Sequence, residues 1–147
     1  MPLRVLLADD SPAILQVVRG LLEREGIDVV GEAADGQQAV RLAQAVSPDM
    51  AVLDLAMPRL NGLDAAREIL RACPGTQVIM LTIYAEEHQV AAAFKEQVRG
   101  YVIKSQAVEE LLQAIRDVSA GGTYLSPGIA RDVVGAYLRW PSPPATP

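Results

Sequence analysis

Residues 50–58 read MAVLDLAMP, a short aliphatic run followed by a carboxylate at Asp54. The run Met50–Leu53 shows no alternation with polar residues, which is typical of a strand covered on both faces in a parallel sheet. Asp54 then stands at the carboxyl end of that strand, where open parallel sheets bind their ligands. The segment therefore predicts both an α/β fold and the position of a functional site.

Four further runs of the same kind occur along the chain, rich in Val, Ile and Leu. They are Leu3–Ala8, Asp28–Glu32, Val78–Leu81 and Tyr101–Ile103. Between the runs lie apolar stripes at the helical spacing i, i+3, i+4, i+7. The first consists of Ile14, Val17, Val18 and Leu21, the second of Ala65, Ala66, Ile69 and Leu70, and the last of Val108, Leu111, Leu112 and Ile115. This alternation predicts a three-layer, doubly wound α/β fold with a five-stranded parallel sheet.

Helix-capping residues mark the limits of the domain. Ser11-Pro12 supplies an N-cap and a first-turn proline for helix one, and Gly26 can end that helix. Gly121-Gly122 is a plausible stop for helix five, and Ser126-Pro127 can start an additional C-terminal helix. The chain then closes with four prolines in residues 141–147, a composition typical of a flexible tail. We expect residues 1–121 to form one domain and residues 122–147 a linker helix with a proline-rich tail.

Composition narrows the functional class. Of the 147 residues, 50% are hydrophobic and 21% charged, with a net charge of −5, as in a globular domain rather than a disordered segment. Lys and Arg do not cluster, so this domain is a poor candidate for binding nucleic acid by charge. No apolar run approaches the ~20 residues that cross a membrane. The single cysteine, Cys73, and a start without signal-peptide layout fit a cytoplasmic protein.

The predicted strands bring five chemically active residues to one edge of the sheet. They are Asp9 and Asp10 after strand one, Asp54 after strand three, Thr82 after strand four and Lys104 after strand five. Two carboxylates ~4 Å apart repel each other by about 4 kcal/mol at an effective dielectric constant of 20. Lys104 offsets one negative charge, and Mg²⁺, which favours carboxylate oxygens and a phosphate, would offset two more. Such a site can hold a transferring phosphoryl group, with Asp54 as nucleophile and the Thr82 hydroxyl as a hydrogen-bond donor.

The order of these residues resembles the receiver domains of bacterial two-component response regulators, a flavodoxin/CheY-like fold. The stretch from Asp54 to Pro58, with Asn61-Gly62 after it, and the stretch from Gly100 to Lys104 resemble that family too, so the similarity covers about residues 3–120. Residues 120–127, AGGTYLSP, are similar to the segment that follows the receiver in NarL/LuxR-type regulators, where a helix-turn-helix DNA-binding domain usually comes next. The resemblance implies either a truncated piece of such a transcription regulator or a stand-alone receiver.

The resemblance also implies roles for single residues. Asp54 matches the phosphoacceptor, while Asp9, Asp10 and the backbone carbonyl of Ala56 match the other Mg²⁺ ligands. Lys104 matches the phosphate-pairing lysine. The remaining matches are Thr82, the switch hydroxyl, and Tyr101, the aromatic side chain that rotates inward when Thr82 moves. The implied partners are a histidine kinase as phosphate donor and a second copy of the chain on activation, with DNA bound only through the C-terminal domain.

Three residues near the site need separate expectations. Ser105 follows Lys104 where many receivers have proline, often after a cis peptide. Because a cis bond without proline costs roughly 2.5–4 kcal/mol, we expect a trans peptide, with Ser105 as the N-cap of helix five. Tyr84 and Ala56 stand where family members vary and where side chains control water access to the phosphoryl group. We expect Tyr84 to shield that group and Ala56 to leave its other side open.

Other function classes have less support. A pseudo-receiver that acts only through protein contacts would not need five competent residues at the edge. A haloacid-dehalogenase-like phosphatase requires a second aspartate where Ala56 stands. A nucleotide-binding fold requires a glycine-rich loop where Asp9-Asp10-Ser11-Pro12 stands, and a serine hydrolase requires a G-x-S-x-G motif that is missing. We therefore expect a self-phosphorylating switch domain rather than an enzyme with an external substrate.

Overall fold

A computed structural model describes residues 2–83 and 87–127 of the chain. Six strands form one parallel sheet in the order β2-β1-β3-β4-β5-β6. The strands are β1 (Arg4–Ala8), β2 (Asp28–Ala33), β3 (Met50–Asp54), β4 (Gln77–Thr82), β5 (Gly100–Ile103) and β6 (Tyr124–Leu125). The helices are α1 (Pro12–Arg24), α2 (Gly36–Val46), α3 (Gly62–Ala72), α4 (Glu87–Lys95) and α5 (Ala107–Ser119), with a 3₁₀ turn over Lys104–Gln106.

Two apolar layers enclose the sheet. Helices α1 and α5 cover one face, where Val18, Leu22 and Leu111 are buried, and α2, α3 and α4 cover the other. All residues of β3 are buried, which explains why residues 50–54 lack alternation. The predicted three-layer fold is therefore confirmed. Two residues of the predicted apolar helix stripes do not face the core, because Val17 and Val108 are 54% and 57% exposed. The prediction was wrong at these two residues.

The sheet has a sixth strand that the sequence did not predict. β6 pairs in parallel with β5, and the N–H groups of Tyr124 and Ser126 donate to the carbonyl oxygens of Arg99 and Tyr101 over 3.0 and 3.1 Å. A two-residue strand is too short to show a period, so the five-strand expectation was wrong on this point. The additional C-terminal helix and the proline-rich tail lie outside the described residues.

Helix termini agree with the capping residues. The Ser11 hydroxyl accepts a hydrogen bond from the N–H of Ile14, Pro12 occupies the first turn, and Gly26 follows α1 with a φ of +78°. Gly121 follows α5 with a φ of +93°, a left-handed conformation that glycine adopts without steric cost. Among the helices of residues 2–83 and 87–127, the longest have 13 residues, and none could cross a bilayer.

Gly62 brings the start of α3 against the end of β3. A Cβ atom at this position would overlap the backbone carbonyl oxygen of Asp54, and the N–H of Gly62 donates to the carbonyl of Leu55 over 2.8 Å. The residue that ends the central strand is thus held by direct backbone contact with α3. Any side chain at residue 62 must push these two elements apart.

We predict that Gly62→Ala lowers the free energy of unfolding by about 1–3 kcal/mol, the usual cost of overpacking. Urea unfolding followed by circular dichroism measures it. Gly20→Ala is the matched control. Gly20 lies in the exposed middle of α1, and a Cβ atom added there would meet no other atom within 4 Å, so alanine should raise stability by about 0.5–1 kcal/mol. Equal effects of the two substitutions would contradict the contact at Gly62.

Candidate functional site

The carboxyl ends of four adjacent strands meet at one edge of the sheet. Asp9 follows β1, Asp54 ends β3, Thr82 ends β4 and Lys104 follows β5, and these strands are neighbours in the order β1-β3-β4-β5. Asp9, Asp54 and Thr82 are buried, with at most 6% of each residue exposed. Buried polar groups of this kind need partners, so their grouping calls for compensating charge.

Three carboxylates form an acidic cluster at this edge. Asp9, Asp10 and Asp54 each offer an oxygen atom within 4.8 Å of the others, and Asp10 is exposed whereas the other two are buried. Oxygen donors on one exposed and two buried carboxylates fit a small hard cation that keeps several waters. The side chains present therefore fit Mg²⁺ by their number, chemistry and access to solvent.

Lys104 spans the two buried carboxylates. Its Nζ lies 2.7 Å from Asp9 Oδ2 and 3.1 Å from Asp54 Oδ2, and only 13% of its side chain is exposed. The approach to Asp9 Oδ2 is an ion pair without good hydrogen-bond alignment. One ammonium group thus offsets part of the negative charge of two carboxylates, while the third, on Asp10, faces solvent.

Protonation at the site reflects burial as well as pairing. Burial raises the pKa of Asp54 above its ordinary value; Lys104 acts in the opposite direction without cancelling that effect, and the charge of Asp9 raises the pKa further. Burial lowers the pKa of Lys104, but its contacts with Asp9 and Asp54 outweigh burial, so that pKa lies above its ordinary value. The environment therefore favours the charged form of Lys104 and disfavours the charged form of Asp54.

The β3–α3 loop, residues 55–61, is held at both ends. The N–H of Ala56 donates to Asp54 Oδ1 over 3.2 Å, and Ala56 is itself exposed. At the far side, Arg59 has a φ of +68° and pairs with Asp35 over 2.8 Å. Asp35 also caps α2 by accepting from the N–H of Gln38. Neither Arg59 nor Asp35 was predicted from the sequence, although Asp35 before Gly36 has the pattern of an N-cap.

Thr82 ends β4 at the site, and Tyr101 lies two residues before the end of β5. Ile103 pairs with Thr82, and Tyr101 pairs with Met80. Tyr101 is 0% exposed and packs in the layer covered by α2, α3 and α4. Burial raises its pKa to about 12, and its hydroxyl has no hydrogen-bond partner among residues 2–83 and 87–127. Tyr101 is therefore already buried in this structure, and its expected rotation when Thr82 moves stays a prediction.

The loop after Lys104 differs in part from expectation. No cis peptide is present in the described ranges, so the trans expectation for Lys104–Ser105 is confirmed. The expected N-cap role of Ser105 is wrong. The chain enters α5 through the 3₁₀ turn Lys104–Gln106, where the Ala107 N–H donates to the Lys104 carbonyl, and Gln106 is the N-cap without a side-chain hydrogen bond. Tyr84 lies outside the described residues.

The raised pKa of Asp54 predicts that its ionisation destabilises the fold. Because the folded pKa exceeds the unfolded pKa, the folded state binds the proton more tightly, and stability falls as pH rises from below the unfolded pKa to above the folded pKa. Asp54→Asn is neutral at every pH, so it should unfold at higher urea concentration than the wild type at pH 7. The difference should disappear toward about pH 4 and below.

Urea unfolding at a series of pH values measures this difference. Asp28→Asn is the control, because it removes a charge that is exposed at the start of β2; its pH dependence should follow that of the wild type. A wild type at least as stable as Asp54→Asn at pH 7 would show that the ion pair with Lys104 outweighs burial.

Comparison with known proteins agrees with this geometry. Residues 5–116 match the family described as response regulator receiver domain. The response regulator GacA of Pseudomonas aeruginosa is 36% identical over 132 residues, which are 89% of this chain and 62% of GacA. The chain thus spans about three fifths of the length of this curated relative.

Solved structures extend the agreement to three dimensions. A two-component response regulator of the LuxR family from Aurantimonas is 34% identical with a TM-score of 0.88, covering 94% of this chain and 99% of that one. The isolated receiver domain of RcsB from Salmonella enterica, determined in the presence of the phosphomimetic BeF₃⁻, is 26% identical with a TM-score of 0.81, covering 89% and 98%. With its acidic edge, its paired lysine and these matches, the chain belongs to the receiver domain family of two-component response regulators, with relatives of the NarL/LuxR type.

Proposed function

We propose that Asp54 accepts a phosphoryl group from a sensor histidine kinase, in a reaction that depends on Mg²⁺ held by Asp9, Asp10, Asp54 and the backbone carbonyl of Ala56. The observation that carries the proposal is the contact of Lys104 with the buried carboxylates of Asp9 and Asp54, 2.7 and 3.1 Å from its Nζ. A charged lysine fixed beside a nucleophilic carboxylate and an open acidic cluster is suited to phosphoryl transfer.

The transfer needs little covalent chemistry from the protein. A carboxylate oxygen of Asp54 forms a bond to phosphorus while the bond from phosphorus to the donor nitrogen breaks, which leaves an acyl phosphate on Asp54. Mg²⁺ would supply charge neutralisation to the transferring group. Lys104 would pair with a phosphoryl oxygen, and the exposed loop at Ala56, whose N–H points at Asp54 Oδ1 over 3.2 Å, leaves room for that group.

A protein-interaction module without phosphorylation is the second candidate. It explains the fold equally well, because the sheet and helices do not require an acidic edge. It does not explain why a carboxylate with a raised pKa is kept buried at residue 54, since buried unstable charges are more common at functional sites. The phosphorylatable switch is therefore the better-supported function.

Water access should set the lifetime of the acyl phosphate. Ala56 is exposed beside Asp54, and a methyl group obstructs an approaching water very little. We propose Ala56 and Tyr84 as the residues that tune hydrolysis, Tyr84 by shielding the phosphoryl group.

Phosphorylation should act by a two-state shift. A phosphoryl group would draw the Thr82 hydroxyl, and Tyr101 would occupy the space beside it. Moving an equilibrium from 1:99 to 99:1 requires ~5.5 kcal/mol of differential interaction. Two or three hydrogen bonds to a charged phosphoryl group, at about 1.5–3 kcal/mol each, could supply it. In the complete protein, in the cytoplasm, the result would be homodimerisation and control of transcription through a C-terminal DNA-binding domain.

We predict that acetyl phosphate with Mg²⁺ adds one phosphoryl group to this chain, at Asp54, and that Asp54→Asn prevents it. Intact-mass measurement followed by peptide mapping checks this. Label on another residue, or none on the wild type, would refute the proposal.

Asp10→Asn serves as the matched test of the metal, because Asp10 belongs to the acidic cluster and is exposed. It keeps the Asp54 nucleophile, so phosphorylation should persist but require more Mg²⁺. An unchanged Mg²⁺ requirement would remove Asp10 from the metal site.

We also predict that beryllofluoride with Mg²⁺ shifts the dimer dissociation constant by about tenfold or more, equivalent to ~1.4 kcal/mol. Thr82→Ala should blunt the shift, whereas Thr82→Ser keeps the hydroxyl and should preserve it. Sedimentation velocity with and without beryllofluoride measures both. Equal association of Thr82→Ala and wild type in beryllofluoride would exclude Thr82 as the relay.

A further inference from the structure

A polar side chain is fully buried just after the last strand. Ser126 is 0% exposed, and it directly follows β6, whose backbone pairs with β5. Burial of a hydroxyl is unfavourable unless its donor and acceptor are both satisfied. The hydrogen-bond partners of Ser126 therefore indicate why this side chain is buried.

Ser126 links the end of β5 to helix α5. Its Oγ accepts a hydrogen bond from the N–H of Ile103 over 3.0 Å and donates one to Glu110 Oε1 over 2.7 Å. The same oxygen of Glu110 accepts from the Tyr124 hydroxyl over 2.8 Å. The Ser126 hydroxyl thus pairs with the N–H of Ile103, the last residue of β5, just past the end of β6. Glu110 fixes the orientation of that hydroxyl.

This network encloses the turn that carries Lys104. Ile103 directly precedes Lys104, and Glu110 lies in the first turn of α5. The bonds through Ser126 therefore tie together the two ends of residues 103–110. Within this segment neither the 3₁₀ turn nor the start of α5 has a side-chain cap. Ser126, which lies after β6, consequently provides side-chain hydrogen bonds to this segment that the 3₁₀ turn and the start of α5 lack.

We propose that Ser126, oriented by Glu110, is a positioning residue for Lys104 and thereby connects the phosphorylation site to the chain that continues past residue 126. The role in phosphoryl transfer rests on the function proposed above. Lys104 must reach two carboxylates at 2.7 and 3.1 Å, so a small shift of the backbone at Ile103 changes both contacts. A displacement of the segment after β6 would reach Lys104 through this route.

The test compares Ser126→Ala with two conservative variants. Ser126→Ala removes both bonds of the hydroxyl. Tyr124→Phe removes only the third bond of the network, and Glu110→Gln keeps an accepting oxygen, so both should behave like the wild type. The initial rate of phosphorylation by acetyl phosphate at saturating Mg²⁺ is measured for each, and urea unfolding checks that each is folded.

We expect Ser126→Ala to lower this rate by about 2- to 10-fold, the net value of one or two hydrogen bonds expressed as a rate ratio. In a Lys104→Ala background the same substitution should have no further effect, because positioning through Lys104 is then lost. A full additional loss in that background would show a general structural role and overturn the proposal. A phosphorylation rate of Ser126→Ala equal to that of the wild type would also overturn the proposal.

A second readout does not depend on phosphorylation. In the metal-free protein, Ser126→Ala should accelerate hydrogen exchange at the Ile103 amide and shift the side-chain NMR signal of Lys104, while Tyr124→Phe should change neither. If the wild type takes up no phosphate, the proposed function fails, and this experiment still decides whether Ser126 positions Lys104. An unchanged Lys104 signal in Ser126→Ala would overturn the inference.

Discussion

The contact of one ammonium group with two buried carboxylates is the constraint on which this structure depends. Asp9 and Asp54 stand at the carboxyl ends of adjacent parallel strands, so the fold itself brings like charges together. Lys104 reaches both, and it can do so because its strand lies two positions from β3 in the same sheet. Without that cation the edge would have to take up protons or recruit a metal ion. Burial still raises the pKa of Asp54 above its ordinary value, so pairing with Lys104 does not fully offset the cost of holding this charge inside the protein.

Most of the fold could be predicted from the sequence because buried parallel strands and amphipathic helices have distinct periods. Residues 50–54 show this most clearly, since every one of them is buried. The sixth strand could not be predicted, because Tyr124–Leu125 is held by pairing with β5 rather than by any local pattern. Val17 and Val108 obey the helical spacing yet are exposed, because the apolar stripe is wider than the surface that the sheet covers.

The sequence predicted which charged side chains meet at this edge of the sheet, but not the residues that support them. Asp9, Asp10, Asp54 and Lys104 could be found because strand ends are recognisable and converge at one edge. The pair Arg59–Asp35 depends on a left-handed backbone at Arg59, which arginine rarely adopts and no motif indicates. Ser105 has the residue type of an N-cap, but the chain enters α5 through the 3₁₀ turn with Gln106 at the cap position. Local preference yields to tertiary packing at such positions.

The shortness of β6 has a consequence for association between chains. A parallel sheet exposes unpaired N–H and C=O groups along its outer strands, and long flat edges invite intermolecular strand addition. β5 has four residues, and the two residues of β6 together with the Ser126 hydroxyl occupy hydrogen-bonding positions along it. Removing the chain from Tyr124 onward would expose the backbone N–H and C=O groups of β5 that now pair with β6. A shortened domain would then have an open sheet edge able to pair with a strand of another molecule.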